Sequence, residues 1–426
     1  MSGQTDTVVE ITLTAIAHGG EALTRHQGKV IFVAGAIPGE QVRAQIVDEH
    51  KRWARARLLE LLTPSPDRVQ PPCPYLQFDP NRPVCGGCQW QHIAYERQLA
   101  LKQEIVADQL RRLGHVENPP VQETLAVGEE DVPDAWGYRN YAQFVIASDG
   151  HPGFYAAGSH DVVPIRECLI LHPLLNEMLE SLEVKWTGLR RLGLRAGVHT
   201  GDRLVVLETT HDQAPELEVD VPISCALLRR DGMAETLIGQ AWYNERILGR
   251  QFRVSAGSFF QVNTPGAEAL VGLVGEMLSS RPGDVLLDVY CGVGLFGLSL
   301  ADQVTAVVGV EESASACDDF EFNAQEMDNA SLYEGPAEEV LPALVRMGER
   351  ATLAVLDPPR SGAGAAVIET LSALGVRRLA YVSCDPATLA RDAAALRSMG
   401  YQLVTVQPLD MFPQTYHVES VALWEL

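Results

Sequence analysis

Hydrophobic and polar residues alternate along the first sixty positions of the chain, in segments such as TVVEITLTAIA and GKVIFVAGAIPGEQVRAQIVDEH. Glycines and prolines at Gly19–Gly20, Gly28 and Pro38–Gly39 interrupt this alternation at short intervals. A period of two with turns at this spacing is typical of short β-strands, so residues 1–62 are predicted to form a small OB-like β-barrel. The next stretch, TPSPDRVQPP, holds four prolines and is predicted to be a linker.

A helical period follows the linker. The segment IAYERQLALKQEIVADQLRRLG has the apolar spacing of an amphipathic helix that ends at Gly114. Segments such as YAQFVIA, LGLRAGVHT and RLVVLETT then predict short strands. We therefore interpret residues 73–255 as a central mixed α/β domain.

From residue 256 onwards, apolar strands alternate with amphipathic helices. The strands are predicted in DVLLDVY, AVVGVE, TLAVLD, RLAYVSC, QLVTVQPLD and ESVALWEL, with helices such as GAEALVGLVGEMLSS between them. Elements that alternate at these lengths build a doubly wound, parallel-rich sheet. The predicted fold class is therefore α/β, with a Rossmann-like domain over residues 256–426.

The composition is that of a globular protein. A chain of 426 residues, 46% of them hydrophobic, can bury the core of two or three domains. It has no run of 18 apolar residues and no secretory signal pattern at its start, so we expect no membrane span and a cytoplasmic location. Eight cysteines are too few for a disulfide scaffold, and each is interpreted from its neighbours.

The formal net charge of −23 argues against RNA binding, which depends on Lys and Arg at phosphates. The charge is nevertheless uneven: residues 1–115 hold 13 Lys and Arg against 12 Asp and Glu, whereas the other 311 residues hold 20 against 44. Four cations surround Trp53, namely Lys51, Arg52, Arg55 and Arg57. An aromatic ring among cations suits a nucleic-acid strand, and the alternative is an ordinary solvated strand edge.

A glycine-rich turn, DVYCGVG at residues 288–294, follows the first strand of the doubly wound sheet. Ligands of such sheets bind at the carboxyl ends of the strands, where glycines allow close approach. The next strand ends in Glu311, whose carboxylate is at the position that accepts the ribose hydroxyls of a nucleoside cofactor. Because a helix is predicted directly after the turn, we favour S-adenosylmethionine over a dinucleotide.

Two further strands end in chemistry-bearing residues. Asp357 is followed by two prolines that stiffen the backbone as it leaves its strand. Cys384 stands at the end of the next strand and at the start of a helix. A helix N-terminus lowers a thiol pKa, and the thiolate is the nucleophile. An isolated cysteine is more often a core residue, but this position favours a reactive one.

The chain closes with MFPQTYHVES before its last strand. Either Glu419 or His417 is a candidate general base, and residue type alone does not choose between them.

Cys73, Cys85 and Cys88 have the spacing of a metal site, with eleven residues between the first two and two glycines between the second pair. The fourth ligand is either Cys168 or Cys225, and the spacing fits both zinc and an iron–sulfur cluster.

With these motifs assembled, the chain resembles the RNA uracil-5 methyltransferase family (the TrmA/RlmD type) over nearly its full length. The motifs that carry the resemblance are C-x11-C-G-G-C with QWQH, FQVN, DVYCGVG, DPPR, SCDPATLARD and MFPQTYHVES. The resemblance implies that the N-terminal barrel is a TRAM domain that binds RNA. It also implies a [4Fe-4S] cluster on Cys73, Cys85, Cys88 and Cys168, which selects Cys168 over Cys225.

The resemblance further implies the reaction. The Cys384 thiolate adds to carbon-6 of a uracil, carbon-5 takes a methyl group from S-adenosylmethionine, and Glu419 removes the carbon-5 proton. The cofactor-binding positions are Gln261, Tyr290, Glu311 and Asp357. Two departures from the family pattern concern the cofactor site: Leu295 replaces an Asn of some relatives, and Gly335–Pro336 stands where relatives offer Asn or Asp to the adenine.

Relatives with both a TRAM domain and a cluster mostly act on the large ribosomal subunit, so 23S ribosomal RNA is the expected substrate and transfer RNA the alternative. A monomer is expected.

Three other interpretations of the function are weaker. A non-catalytic iron–sulfur RNA-binding protein would not need Cys384 and Glu419, a radical enzyme would keep only three cysteine ligands, and DNA cytosine methyltransferases place their cysteine after a proline.

Overall fold

The computed structural model describes residues 7–76, 83–129, 132–133, 135–148, 150–184, 188–211, 213–214, 217–219 and 222–426. The first 63 positions contribute the N-terminal β domain, one six-stranded sheet in the order β1-β5-β6-β4-β3-β2. Its strands are β1 (Val8–Thr12), β2 (Ala15–Ile16), β3 (Ala22–His26), β4 (Lys29–Ala34), β5 (Gln41–Glu49) and β6 (Trp53–Thr63). Alternate residues such as Val33, Ala44 and Ala56 point into its core, as the period of two predicts.

The central domain is built on a seven-stranded sheet in the order β11-β10-β9-β13-β14-β16-β17. Its elements are β7 (Gly128–Glu129), β8 (Val132–Pro133), β9 (Tyr141–Ile146), β10 (Pro152–Tyr155), β11 (Val162–Pro164), α2 (Pro173–Ser181), β12 (Leu182–Val184), β13 (Leu189–Ala196), β14 (Arg203–Thr209), β15 (Leu217–Val219), β16 (Ser224–Leu228) and β17 (Ala234–Ile238). Leu175 and Met178 of helix α2 share a hydrophobic core with Phe144 and Leu194 of the sheet.

The last domain is a doubly wound sheet in the order β22-β21-β20-β23-β24-β26-β25. We call it the catalytic domain because the candidate catalytic residues predicted from the sequence lie in it. Its elements are α3 (Thr264–Leu278), β20 (Val285–Val289), α4 (Leu295–Leu300), β21 (Ala306–Glu311), α5 (Ala314–Asn323), β22 (Ala330–Glu334), α6 (Ala337–Met347), β23 (Leu353–Leu356), α7 (Gly364–Leu374), β24 (Arg378–Ser383), α8 (Pro386–Ser398), β25 (Gln402–Leu409) and β26 (Glu419–Glu425). The strands from β22 to β24 pair in parallel, whereas β26 runs antiparallel to both of its neighbours. The predicted α/β class is confirmed.

Strand β22 and helix α6 were not predicted. The sequence ASLYE of β22 lies at the sheet edge and is only partly buried, so it lacks the continuous apolar run of the inner strands. Helix α6 contains Pro342, which weakened its helical signal.

A β-hairpin that precedes the predicted boundary at residue 255 in sequence packs against the catalytic domain. Its strands are β18 (Trp242–Ile247) and β19 (Arg250–Ser255), and they pair with each other. Tyr243 and Phe252 share one hydrophobic core with Leu286 and Val355 of the catalytic sheet.

Helix α1 (Tyr95–Arg112) joins the N-terminal β domain to the catalytic domain. Leu101 and Ile105 are buried in the core of the N-terminal β domain, whereas Val106 and Leu110 are buried in the core of the catalytic domain. The two domains are therefore packed on opposite sides of one helix. None of the helices in the described ranges is long and apolar enough to cross a membrane.

Candidate active site and cysteine cavity

The predicted site residues come together where the strands of the catalytic sheet end. Parallel strands share a carboxyl edge, so Glu311, Asp357 and Cys384, which end or follow β21, β23 and β24, lie along one edge. Strand β26 runs in the opposite direction and therefore begins at that edge. Ser383 pairs with Ser420, which places Cys384 beside the start of β26 and hence beside Glu419.

Cys384 is half-buried next to a cavity of about 100 Å³. It precedes Asp385, which caps helix α8 by accepting the N–H groups of Ala387 and Thr388 at 2.9 and 3.0 Å. The helix position led us to expect a lowered thiol pKa. That expectation is wrong: burial, followed by the charges of Glu419 and Asp357, raises the pKa of Cys384 to about 11.

Two carboxyls lie beside this thiol, the buried Glu419 and the half-buried Asp357. Burial and the charge of Asp357 raise the pKa of Glu419 well above its usual range, and burial also raises the pKa of Asp357. Within the described part of the chain, Oε1 of Glu419 has no hydrogen-bond partner, while the side chain of Gln261 donates to Asp357 at 3.3 Å. Both pKa shifts favour the protonated form of these carboxyls.

Asp288 adds a third carboxyl that the sequence interpretation did not single out. It is fully buried at the end of β20, and its Oδ2 accepts the N–H of Gly297 at 2.7 Å. Its Oδ1 finds no partner among the described residues, and burial raises its pKa to about 7. The sequence did contain a signal for Asp288: it is an acidic residue at the end of the first strand, directly before the glycine loop.

The glycine loop is held in shape by Glu311. One carboxylate oxygen accepts the N–H of Gly292 at 2.8 Å, and the other accepts those of Glu312 and Ser313. A carboxylate has about four acceptor positions, so one remains for a ligand hydroxyl. Tyr290, in the same loop, adopts a left-handed backbone conformation with φ +64°. The space beside Gly292 is open, because a Cβ added there would contact no neighbouring atom.

His417, the alternative base, also lines the cavity beside Cys384. Burial and the positive charges of Arg360 and Lys102 lower its pKa to about 4, so it is neutral at pH 7. Arg360 lines the same cavity, and its charge opposes the rise in pKa at both Cys384 and Glu419.

The loop between β25 and β26 is fixed by side chains from other regions. Lys102, fully buried on α1, pairs with the fully buried Asp410 at 2.5 Å. Gln98, one turn earlier, donates to the side chain of Gln414 and accepts its N–H, both at 3.0 Å. Sequence reasoning missed these residues, although Lys and Gln in the apolar stripe of an amphipathic helix were a visible signal.

Cys73, Cys85, Cys88 and Cys168 line a second cavity, of about 310 Å³, in the central domain. All are free thiols. Gly86 permits a tight approach here, because an added Cβ would lie 2.9 Å from the carbonyl oxygen of Tyr155.

The environment of this cavity differs from that of Cys384. Burial raises the pKa of Cys88 to about 12 and that of Cys168 to about 11, and other cysteines contribute to both shifts. In the described ranges, no group of three or more His, Cys, Asp or Glu side chains has the arrangement that holds a metal ion. Residues 77–82, between Cys73 and Cys85, lie outside the described part of the chain. Cys225, the alternative fourth ligand, is buried in the core of the central domain instead.

Comparisons with known proteins show which family this chain resembles. Residues 243–425 match the model of the tRNA (Uracil-5-)-methyltransferase family, and residues 4–59 match the TRAM domain. An uncharacterized RNA methyltransferase of Streptomyces avermitilis is 40% identical over 98% of both chains, and one of Gloeobacter violaceus is 36% identical over 100% of this chain and 97% of its own. The crystal structure of Pyrococcus abyssi tRNA (uracil-54, C5)-methyltransferase in complex with S-adenosyl-L-homocysteine has a TM-score of 0.76 and 25% identity, covering 98% of this chain and 100% of that chain.

The doubly wound fold with its glycine loop, together with relatives that are named RNA methyltransferases, defines an S-adenosylmethionine-dependent methyltransferase that acts on RNA. More narrowly, the chain belongs to the RNA uracil-5 methyltransferase family, because residues 243–425 match that family's model and the Pyrococcus abyssi uracil methyltransferase matches nearly the whole chain.

Proposed function

We propose that this protein methylates carbon-5 of a uridine in 23S ribosomal RNA, with Cys384 as the nucleophile and Glu419 as the base. The observation that carries the proposal is the position of the Cys384 thiol beside Glu419 and Asp357 at the carboxyl edge of the sheet. The family supports uracil-5 methylation in general, and the individual residue roles are our proposal.

The residues supply each step that the uracil needs. The Cys384 thiolate forms a bond to carbon-6, and the ring electrons move to give an enolate with a nucleophilic carbon-5. S-adenosylmethionine supplies the methyl group, carried on a positively charged sulfur. Carbon-5 then holds both a methyl group and a proton; Glu419 takes the proton, and the thiolate leaves carbon-6 to restore the ring.

The pocket suits a cationic cofactor. Asp288 and Glu419 are buried and Asp357 is half-buried, and all three carboxyls have raised pKa values. One oxygen atom of Asp288 and one of Glu419 lack a hydrogen-bond partner in the described structure. Positive charge nearby favours the ionised form of a carboxyl. Cofactor binding would thereby lower the pKa of Glu419 and prepare it to accept the uracil proton. Gln261, Tyr290 and Glu311 are the other residues proposed to hold the cofactor.

The N-terminal β domain offers a stacking surface for RNA. The rings of His50 and Trp53 are stacked at 3.9 Å, and the guanidinium of Arg55 lies 5.7 Å from the Trp53 ring centre. Unpaired bases stack on aromatic and guanidinium planes, while cations contact their phosphates. The target uridine itself must leave its stack to reach Cys384.

Ribosomal RNA is proposed because of the joint presence of the TRAM domain and the four cysteines. Transfer RNA is the second candidate, because the Pyrococcus abyssi protein, which matches nearly the whole chain, is described as a tRNA methyltransferase. We expect the protein to act as a cytoplasmic monomer.

We further propose that Cys73, Cys85, Cys88 and Cys168 hold a [4Fe-4S] cluster. The chemistry of the donor set supports this proposal, because four free thiols line one cavity and thiolates are the usual ligands of such clusters. Cluster binding would require these thiols to move closer together, since no three of them have the arrangement of a metal site in the described structure. Since no step of the methyl transfer uses an electron, the cluster would have a structural or RNA-orienting role.

Mass spectrometry of 5-methyluridine in 23S ribosomal RNA and transfer RNA from cells with and without the gene would test the substrate. We expect one 23S signal to disappear with the gene and to return when purified protein and labelled S-adenosylmethionine are added to that RNA. Loss of a transfer RNA signal alone would show that the substrate is transfer RNA and not ribosomal RNA. No change in either RNA would contradict the proposed function.

A further inference from the structure

A turn of the N-terminal β domain reaches the active-site pocket. Residues Ala17–Gly20 form the turn between β2 and β3, closed by a hydrogen bond from the Gly20 N–H to the Ala17 carbonyl at 2.8 Å. The turn presents His18, which lines the same cavity as Cys384 although the two residues are 366 positions apart. The nucleophile and the RNA-binding domain therefore meet in one pocket.

His18 contacts the residue that orients the start of helix α8. Its Nε2 lies 3.5 Å from Oδ2 of Asp385, and the two side chains are 30% and 27% exposed. The other carboxylate oxygen of Asp385 caps the helix. Asp385 therefore links His18 to the backbone that directly follows Cys384.

The turn is docked by two independent contacts, so the position of His18 is built into the fold. The indole N–H of Trp90 donates to the Gly20 carbonyl at 3.1 Å. Gly20 has φ +81°, and a Cβ added there would lie 2.7 Å from the Cβ of Tyr416, so only glycine fits. Tyr416 belongs to the loop before Glu419 and packs against the core of the N-terminal β domain.

We propose that His18 is a positioning residue of the active site: through Asp385 it fixes the start of helix α8 and the orientation of Cys384. Docking of the N-terminal β domain thereby completes the catalytic pocket in addition to binding RNA. The inference rests on the proposed role of Cys384 in methyl transfer.

Two variants of His18 distinguish a role in positioning Cys384 from a general contribution to folding. His18→Ala removes the contact with Asp385, whereas His18→Gln keeps an N–H donor of similar reach. His26→Ala, at the last residue of β3 before the turn to β4, is the matched control within the same domain. All are compared by circular dichroism, so that only folded variants are interpreted.

The first measurement needs neither RNA nor cofactor. The rate of Cys384 alkylation by iodoacetamide, followed by peptide mass spectrometry from about pH 8 to pH 10, reports the thiolate fraction. We expect the alkylation rate of His18→Ala to differ from that of the parent at each pH, to be restored in His18→Gln and to be unchanged in His26→Ala. A rate in His18→Ala equal to that of the parent would overturn the proposal.

The second measurement is steady-state methyl transfer. We expect His18→Ala to lower kcat about 10-fold, because small misplacements of reacting groups are costly, with a KM for RNA within about twofold of the parent. Adding Asp385→Asn to His18→Ala should then cost little more, as expected for two residues that act through one contact. A raised KM at unchanged kcat would make His18 an RNA contact and overturn the positioning role.

The two measurements also separate this inference from the proposed function. If the parent protein transfers no methyl group to uridine, the proposed function fails, while the alkylation comparison still decides whether His18 controls Cys384.

Discussion

The two thiol sites of this protein are made from the same residue type but differ in what surrounds the sulfur. Cys384 has carboxyls and a cation as neighbours, with a cavity beside it and a helix beginning directly after it. In the central domain, each of Cys85, Cys88 and Cys168 has other cysteines as its charged neighbours. Burial raises the thiol pKa in both places, so the pKa alone does not separate a nucleophile from a ligand. The neighbouring groups do.

The largest expected effect is that of Cys384→Ala. We expect methyl transfer to fall roughly 10⁴-fold, because the enolate cannot form without the thiolate adduct. Transfer of labelled methyl groups to RNA measures the change. Cys225→Ala, at a cysteine buried in the core of the central domain, is the control. Its rate of methyl transfer should stay within about tenfold of that of the parent protein. Equal losses in the two variants would remove the distinction between the sites.

Glu419→Gln should have the next largest effect, a fall in kcat of about 10² to 10⁴-fold, because loss of a general base removes proton transfer but leaves the nucleophile. RNA should then remain bonded to Cys384 after its carbon-5 has been methylated, visible as a slow band on a denaturing gel. Normal turnover by Glu419→Gln would exclude this residue as the base and leave His417.

Asp288→Asn should change how stability depends on pH. The pKa of Asp288 is raised to about 7 in the folded protein, so the folded state binds an extra proton between about pH 4 and pH 7. The free energy of unfolding therefore falls as pH rises through this range, by roughly 1 to 4 kcal/mol for this one group. Asp288→Asn should flatten that fall in urea titrations of the ligand-free protein.

Glu40→Gln is a control, because the contribution of Glu40 to the free energy of unfolding should depend on pH in the opposite direction. Burial alone would raise the pKa of Glu40, but hydrogen bonds from Arg68 and the Ile37 N–H lower it. The stabilisation from Glu40 is present above its unfolded pKa and lost as pH falls through its folded value. Its removal should therefore cost more at pH 7 than at pH 4, and the same pH trend in both variants would contradict the assigned shifts.

The smallest effect on catalysis is expected at the cysteine cavity. Cys88→Ser should abolish iron binding and the visible absorbance of the purified protein, while kcat falls less than about tenfold, because no methyl-transfer step uses an electron. A loss as large as that of Cys384→Ala would show that the two thiol sites are functionally coupled.

Much of the fold could be predicted from the sequence because apolar runs and turns mark strands that are buried on both faces. The inner strands β20, β21, β23 and β24 have such runs, and the site residues follow their ends. The edge strand β22 has a mixed pattern and was missed. Single strands with weak periodicity are specified by their neighbours in the sheet, which a sequence pattern does not show.

The site was predictable in its residue types but not in its energetics. The position of Cys384 before a helix was correctly predicted, yet the direction of its pKa was not, because burial and the charges of Glu419 and Asp357 act on the thiol only once β23 and β26 pair with β24. For the same reason, the contacts of His18 with Asp385 and of Lys102 with Asp410 were not visible: each joins residues more than 300 positions apart.

The central claim, covalent attack by Cys384 on a uracil ring, is tested most directly with RNA that carries 5-fluorouridine in place of uridine. Fluorine leaves no carbon-5 proton for Glu419 to remove, so the adduct should persist once the methyl group has been added. With S-adenosylmethionine present, we predict a stable protein–RNA adduct that peptide mass spectrometry assigns to Cys384. Absence of the adduct in a preparation that methylates ordinary RNA, or its assignment to another cysteine, would contradict the account.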